Sequence, residues 1–572
     1  MILKALYDYY HRCGDLPRNG MELKEIGFLL VIDKDGHFLR FEDRRIDKTR
    51  AQEFCVKKSV GRTSAPKPNY LYDNSAYVFG YSEKGEDAAI ACFNSFKCHI
   101  NEIYEQYPDY YEIQAVYNFY RRDRIDIIED LRQDPLWDEV IKNLNKKFSN
   151  VSFLINGETE IIAEKSKLLS LYDKYDDEIL DGKVCLVTGN KGRIVETTTS
   201  TMIAGSQATA KLVSFQVSSG YDSYGKTKGN NAPLSEEAEF AYTTALNHLL
   251  RSDSRNKFLV GDRTFVFWAS KDSDAGEKAE ESLWSMFAFN DSLEDDPNKR
   301  IEQVRKVFKS IYSGELKTSL DDKFYILGLA PNSARIAVTY WSEIPLVEFA
   351  RRINGHFDDM EIVDSRKDKL PYSGLRSILA AVTLNGKSSE VTPNLPEAVV
   401  KSIFQGVPYP YSLYSGCIRR IRAESSDKNK KAISITRVAI IKGYLNRLQN
   451  AEQNIAVMLD RDNQNQGYLC GRLFAVLDKI QEDANGQHSI KERYMNSASA
   501  TPAAVFSTIL NLSSHHSIKL SEGRRIFYEK LKQEIFEKIS ACGFPAHLDL
   551  QDQGRFFVGY YHQMQAFYTK DE

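Results

Sequence analysis

The spacing of apolar positions changes several times along this chain, and each change marks an element. The opening MILKALYDYYHRCGDL reads as an amphipathic helix and lacks the unbroken apolar core of a signal peptide. The run Ile26–Ile32 (IGFLLVI), the turn Asp33-Lys34-Asp35-Gly36 and the alternating His37–Phe41 predict two strands joined by an Asp/Gly turn. Residues 104–150 carry apolar positions at three-to-four spacing and predict helix. Strand signals return at Val151–Ile155, Val184–Thr188, Leu212–Gln216, Thr264–Trp268, Phe324–Leu329 and Ile336–Trp341. Helices over Ser235–Leu250 and Pro297–Ser310 separate some of them. Short strands mixed with helices, without a regular strand–helix–strand rhythm, predict an α+β class.

The pattern changes character near residue 425, where RRIRAESSDKNKKAI is polar and basic. Beyond it, helical spacing predicts five helices, at 434–458, 466–483, 500–513, 521–541 and 550–567. The expected organisation is a mixed α+β domain over 1–430, itself open to division into two lobes near 150–180. An α-helical bundle over 431–572 follows it. Apolar stripes such as Leu469, Leu473, Leu477 and Val505, Ile509, Leu512 are expected to form one core, with Gly471 and Gly559 allowing close helix approach.

Composition narrows the function. At 572 residues the length suits roughly two to four domains. With 42% hydrophobic residues the chain can bury substantial cores. A net charge of -3 excludes a uniformly basic coat protein, so any nucleic-acid surface must be local. Eight cysteines, none in a CxxC pair, read as small buried side chains of a reducing cytoplasm. No apolar run approaches the ~20 residues that span a bilayer, so a cytoplasmic location without membrane partners is expected. Phosphate-binding GxxxxGK[ST], zinc-binding HExxH and the GxSxG elbow are missing. The pair His515-His516 sits on a predicted helix end and not beside a carboxylate cluster. Acidic pairs such as Asp358-Asp359 and Asp321-Asp322 read as solvated surface, whereas a two-metal nuclease needs three or four converging carboxylates. No catalytic residue, metal or cofactor is expected.

Two regions carry nucleic-acid chemistry. Residues 44–67 hold eight cations (Arg44, Arg45, Lys48, Arg50, Lys57, Lys58, Arg62 and Lys67) against Asp47 and Glu53, a local net of +6. They run into VGRTSAPKPNYLYDNSAYVFG. Lysine and arginine neutralise phosphates, while Thr63, Ser64, Asn69 and Asn74 are short donors and acceptors suited to phosphates or base edges. Pro66 and Pro68 stiffen the loop. The second region, residues 188–231, is crowded with Gly, Ser, Thr, Asn and Lys. Gly205 lets the backbone near Ser206 and Gln207 approach a ligand, and Lys211 follows. Tyr221, Ser223 and Tyr224 alternate rings with hydrogen-bonding groups beside Lys226, Lys228 and Asn230, a pattern suited to stacking a single strand.

The blocks RTSAPKPNYLYDN (62–74), LVSFQVSSGYDSYGKTKGNNAPLSEEAEFAYTTALNHLL (212–250) and FYILGLAPNSARIAVTYW (324–341) carry a resemblance, as do YLCGRLFAVLDKIQ (468–481), SASATPAAVF (497–506) and GRFFVGYYHQ (554–563). Together with the opening MILKALYDYYHR they resemble, in order, the large subunit of the type I-C (Dvulg-subtype) CRISPR surveillance complex, Cascade. TTTSTMIAGSQ (197–207) is more threonine-rich than that family's pattern. The resemblance implies a non-catalytic subunit that binds the guide-RNA complex and recognises a protospacer-adjacent motif (PAM) in duplex DNA. It further implies promotion of strand opening and recruitment of a separate helicase–nuclease. The implied partners are guide RNA, target DNA, and the backbone, RNA-processing and small subunits. Gln207 then becomes the candidate wedge beside the PAM, and Lys519, Arg524 and Arg525 candidates for the displaced strand or the RNA–DNA hybrid. The small subunit of such systems is also made from an internal start, for which Met458 is the candidate, with a fragment expected to fold alone. A nuclease with an unrecognised site and a scaffold that never reads DNA are the competing readings.

Overall fold

The computed structural model describes residues 2–48, 50–60, 62, 65–82, 85–144, 148–169, 182–215, 222, 224–287, 297–366, 373–427, 430–448, 454–486 and 489–569. It is mixed α and β, as expected, with every strand before residue 346 and only helices after it among the described residues. Two compact units divide the chain: Met1–Arg12, Ser200–Ser214 and Leu246–Glu572 form one, Cys13–Thr199 and Phe215–Ala245 the other.

The second of these units is built on strand β2 (Phe28–Ile32), whose five residues FLLVI are all buried. A strand apolar on both faces belongs in the middle of a sheet. It pairs antiparallel with β3 (Phe38–Asp43) and parallel with β6 (Asn150–Ile155), which carries β5 (Tyr72–Asn74) on its far edge. The expected β2–β3 hairpin is present. A separate antiparallel ribbon joins β1 (Met21–Glu25) to β4 (Glu53–Lys57). Its MELKE strand offers only two apolar positions, Met21 and Leu23, and is half-buried throughout, too short a pattern for the sequence to reveal it. Between β5 and β6 the chain is helical over Glu86–Gln106, Tyr111–Tyr120, Arg124–Arg132 and Trp137–Leu144, starting earlier than the expected residue 104. The strand expected at Val184–Thr188 shrinks to a two-residue rung, β7 (Lys183–Val184) with β8 (Lys191–Gly192).

The other unit holds an antiparallel sheet of β9 (Lys257–Val260), β10 (Arg263–Ala269), β11 (Lys323–Asn332) and β12 (Arg335–Pro345), in the order β12-β11-β10-β9. Helices Asp274–Phe287 and Leu346–Met360 cover one face, with Phe287 stacked on Phe258 (4.5 Å) and Phe349 on Phe324 (4.6 Å). On the other face Trp268 meets Tyr9 of the N-terminal helix Ile2–Arg12 edge-on at 6.3 Å. The stretch expected as a strand at Leu212–Gln216 forms none: Lys211 makes a single bridge to Arg335, and Gln216 lies outside the described residues.

The strand-free, helical part of the described residues begins at Leu346 rather than near 425, with Asn394–Gln405 and Tyr411–Glu424 preceding the expected tail. In the tail itself, Gln466–Asn485, Pro502–Ser517, Glu522–Phe536 and Leu550–Ala566 match four of the five expected helices, Ile435–Asn446 ends well before the expected residue 458, and Ser489–Ala500 is a sixth. One apolar core runs from Phe258 of the sheet to Tyr561 of the last helix. Residues 431–572 therefore share their core with the elements before them. At its centre the helices Gln466–Asn485 and Leu550–Ala566 touch backbone to backbone. A Cβ on Gly471 would lie 2.0 Å from the Phe556 carbonyl oxygen, and one on Gly559 would lie 2.2 Å from that of Tyr468. The same contact is laced by polar bonds: Tyr468 Oη with His562 Nδ1 (2.9 Å), Arg472 Nε to Gln563 (3.1 Å) and Tyr560 Oη to Asp478 (2.8 Å). Each is a buried polar group given a partner, without which burial would be costly.

Gly471→Ala should therefore lower stability by ~3 kcal/mol, since backbone must move to admit one methyl. Gly355→Ala, mid-helix with no heavy atom within 4 Å of its new Cβ, should instead stabilise by ~0.5–1 kcal/mol. Denaturant midpoints of the two variants distinguish close approach from a general intolerance of alanine.

Candidate nucleic-acid interface

The basic run 44–67 is not one positive patch. Arg44 pairs with Glu42 (2.7 Å), Arg45 with Asp43 (2.6 Å) and Glu139 (2.7 Å), and Arg50 with Asp47 (3.0 Å). Carboxylates outside the run thus absorb part of its charge, which the sequence window did not show. Lys48 is exposed, and more charge that faces solvent lies further on, where the loop leaves β4.

That loop, residues 57–74, is organised from within. Asp73 has no solvent exposure. Its carboxylate accepts from the Asn69 N–H (2.8 Å) and the Asn74 N–H (2.7 Å), and pairs with the Arg62 guanidinium. Burial dominates and raises its pKa above the usual 3.8, against the pull of these donors. Arg62 also donates to the Lys67 carbonyl (3.0 Å) and lies 4.3 Å over the Tyr77 ring. The Tyr77 hydroxyl accepts from the Lys67 N–H at 3.2 Å. Asn69, only 4% exposed, accepts the Val60 N–H (3.0 Å), closing the loop across its base. Asn74 caps the turn of helix Ser75–Val78, accepting from the Ala76 N–H (3.1 Å). Arg62, Asn69 and Asn74, expected as ligand-facing groups, are thus engaged in the loop's frame.

The frame presents Lys58 and Lys67 exposed and Lys57 half-buried. Lys57 Nζ sits 5.9 Å over Tyr70, and Lys58 Nζ reaches Thr199 Oγ1 at 3.4 Å. Thr63 and Ser64 lie outside the described residues.

The second region divides between the two compact units, a separation that its continuity in sequence concealed. In one unit, Gly205 (φ 79°) turns the chain, and Ser206 Oγ donates to the Ile203 carbonyl (2.9 Å) while accepting the Ile203 N–H (3.1 Å). Gln207 is exposed, its N–H directed to Ser333 at the tip of the β11–β12 hairpin (3.4 Å). Lys211, half-buried, brackets the turn through backbone bonds with Ala334 and Ile336. The side chain of Gln207 is therefore held out on a turn anchored to a sheet.

In the other unit, Tyr224 is 99% exposed with φ 53°, followed by Gly225 at φ 70°. A bulky residue in the left-handed region without packing is unusual. Asn231 ties this turn together, donating to Asp222 (2.8 Å) and to the carbonyls of Lys226 and Lys228. Lys228 pairs with Glu196 (2.6 Å), and Asn230 accepts from Lys183 (2.7 Å), while Lys226 is exposed. Tyr221 and Ser223 lie outside the described residues.

On the helical tail, Lys519 donates to Asn485 (2.9 Å) and Arg524 lies 3.4 Å from Asp483. Arg525 is exposed. The sequence did not reveal their company: Ile518, Ile526 and Phe527 stand open beside them. Cations mixed with an exposed ring suit a nucleic-acid strand that both stacks and needs neutralising. At the β2–β3 turn, Asp33, Asp35 and His37 bring ligand atoms within 4.8 Å of one another. Asp33 is already spent there, accepting the N–H groups of Asp35 and His37 (2.9 and 2.8 Å) and meeting His37 Nδ1 at 3.0 Å, which accounts for the cluster as a turn.

Because the Asp73 pKa is raised on folding, the folded state binds this proton more tightly, and stability due to Asp73 falls as pH rises through that pKa. Asp73→Asn should remove that component. Arg62→Ala, which strips the carboxylate of its counter-ion, should enlarge it. Urea midpoints from pH 4 to pH 8, spanning the range above the usual 3.8, read the sign directly.

A family model described as CRISPR-associated protein (Cas_Csd1) matches residues 6–568. Comparison with curated proteins gives no match. No described helix is long and apolar enough to cross a membrane. With the match running over nearly the whole chain, this protein belongs to the Csd1 family of CRISPR-associated proteins.

Proposed function

We propose that the chain is the non-catalytic large subunit of a type I-C CRISPR surveillance complex. In this reading it binds guide RNA and the backbone, RNA-processing and small subunits in the cytoplasm. It recognises the PAM in duplex DNA, promotes R-loop formation and recruits a separate helicase–nuclease. The observation that carries the reading is the family match over 6–568. Loops built from polar and basic residues on ordered frames support it.

The frame geometry supports a set of roles within this reading. Lys57, Lys58 and Lys67 contact phosphates. Arg62, Asn69 and Asn74 hold the loop that displays them. Gln207, exposed on a turn tied to the β11–β12 hairpin, probes the duplex beside the PAM. Tyr224 stacks on an unpaired base, and Lys226 neutralises the adjoining phosphate. Lys519, Arg524, Arg525 and Phe527 receive the displaced strand or the hybrid. PAM recognition itself is a matter of base edges, to which phosphate contacts contribute position and not sequence.

Replacing Lys57, Lys58 and Lys67 together by alanine should weaken binding to duplexes with and without the PAM alike. The slope of log K against log salt should flatten by about 2.7, at ~0.9 per lost phosphate contact. Asn69→Ala should behave like these variants, since its effect passes through the loop. A loss confined to PAM-bearing duplex would instead make Asn69 a base reader.

The Gln207→Ala, Tyr224→Ala double variant should keep duplex binding and lose strand opening in the assembled complex, with stacking worth ~1–3 kcal/mol per base. Permanganate reactivity of unpaired thymines measures this, and unchanged opening would refute both roles. Metal-dependent cleavage of DNA by the isolated chain would overturn the non-catalytic assignment.

A further inference from the structure

A cavity of about 630 Å³ opens between the turn after helix Leu375–Ala380, the end of helix Tyr411–Glu424 and the start of helix Ile435–Asn446. Its size falls within the range of ligand pockets, though its lining is polar where most are apolar. The floor is an ion cluster. Glu424 is bound by Arg437, which also donates to the carbonyls of Ala381 and Ala432 (both 2.8 Å), and by Arg420 Nε at 3.1 Å. One carboxylate shared by two guanidiniums leaves an excess of positive charge.

The mouth adds to that excess. Lys430 and Lys431 line it, both exposed, and neither has an ion-pair partner among the described residues. Lys431 lies within Coulomb range of Asp364, but that carboxylate is held by Arg366. Thr383 and Asn385 supply a hydroxyl and a carboxamide on the wall, and no aromatic ring among the described residues lines the cavity. A site with charge and hydrogen-bonding groups but no stacking surface recognises anionic oxygens and is blind to bases.

We propose that this cavity binds a backbone phosphate of a single nucleic-acid strand without regard to sequence. The proposal rests on the nucleic-acid role given above and adds a contact apart from the loops assigned there. Its two lysines clamp the phosphate oxygens at the mouth, while the Glu424–Arg437 cluster fixes the wall.

The test uses the full chain and its K430E/K431E variant. K306E/K309E, on exposed positions of helix Pro297–Ser313, makes the same charge change away from the cavity. Binding of two labelled single strands of unrelated sequence is measured at two salt concentrations. K430E/K431E should bind both strands at least ~10-fold more weakly and flatten the salt slope by about 0.7, the value for one neutralised phosphate of a single strand, whereas K306E/K309E should bind as wild type. Equal loss in K306E/K309E, or loss with one sequence only, overturns the site. Displacement of the strand from wild type by adenosine monophosphate or polyglutamate at matching concentration makes the occupant a free nucleotide or an acidic peptide, and overturns it too. Preference of the wild-type chain for PAM-bearing duplex is scored separately. Its absence counts against the proposed function, while the single-strand comparison decides the cavity.

Discussion

A carboxylate withdrawn from water must be met on every side, and in this protein that demand shapes the loop proposed to meet DNA. Asp73 sits at the inner end of the 57–74 loop with no exposure, and its oxygens draw in the Asn69 N–H, the Asn74 N–H and the Arg62 guanidinium. Each bond fixes a different stretch of chain. Together with the ring of Tyr77 beneath Arg62, they tie the described part of the loop to strand β5 and to the helix turn that follows it. The lysines are then presented by a rigid base, so less of their binding energy is spent on ordering the backbone.

Charge elsewhere follows a related logic. A chain that is net -3 can still attract a polyanion if its acids are placed to silence some cations and spare others. Glu42, Asp43 and Asp47 neutralise Arg44, Arg45 and Arg50, while Lys58 and Lys67 remain open. Selective pairing, more than the number of cations, defines where a phosphate would bind.

Sequence pattern was informative where burial was extreme. FLLVI, VSFLI and RTFVFWA announce themselves because strands covered on both faces admit little else. MELKE, half-exposed at every position, has no such signature, and its strand is held by pairing with β4 instead. Helices between 346 and 424 escaped notice because the basic segment after them looked like the boundary. At the candidate site, the asparagines were legible as polar loop residues, but their use was decided by a carboxylate several positions away. The 188–231 stretch read as one loop, whereas contacts distribute it between two units. Neither outcome can be inferred from residue type, because both depend on what the chain brings alongside.

The continuity of the core around the last helices bears on any shorter product of the same gene. A polypeptide beginning at Met458 would keep the glycine-faced pair Gln466–Asn485 and Leu550–Ala566 but lose Ile435–Asn446, nine of whose twelve residues are buried. Ile441 and Tyr414, which close over Gly554, would go with it. The face they vacate is apolar and continuous with the interior. Such a fragment would be prone to self-association in isolation, and its colloidal stability would depend on whatever surface, from another subunit or another copy, took the place of the missing helix.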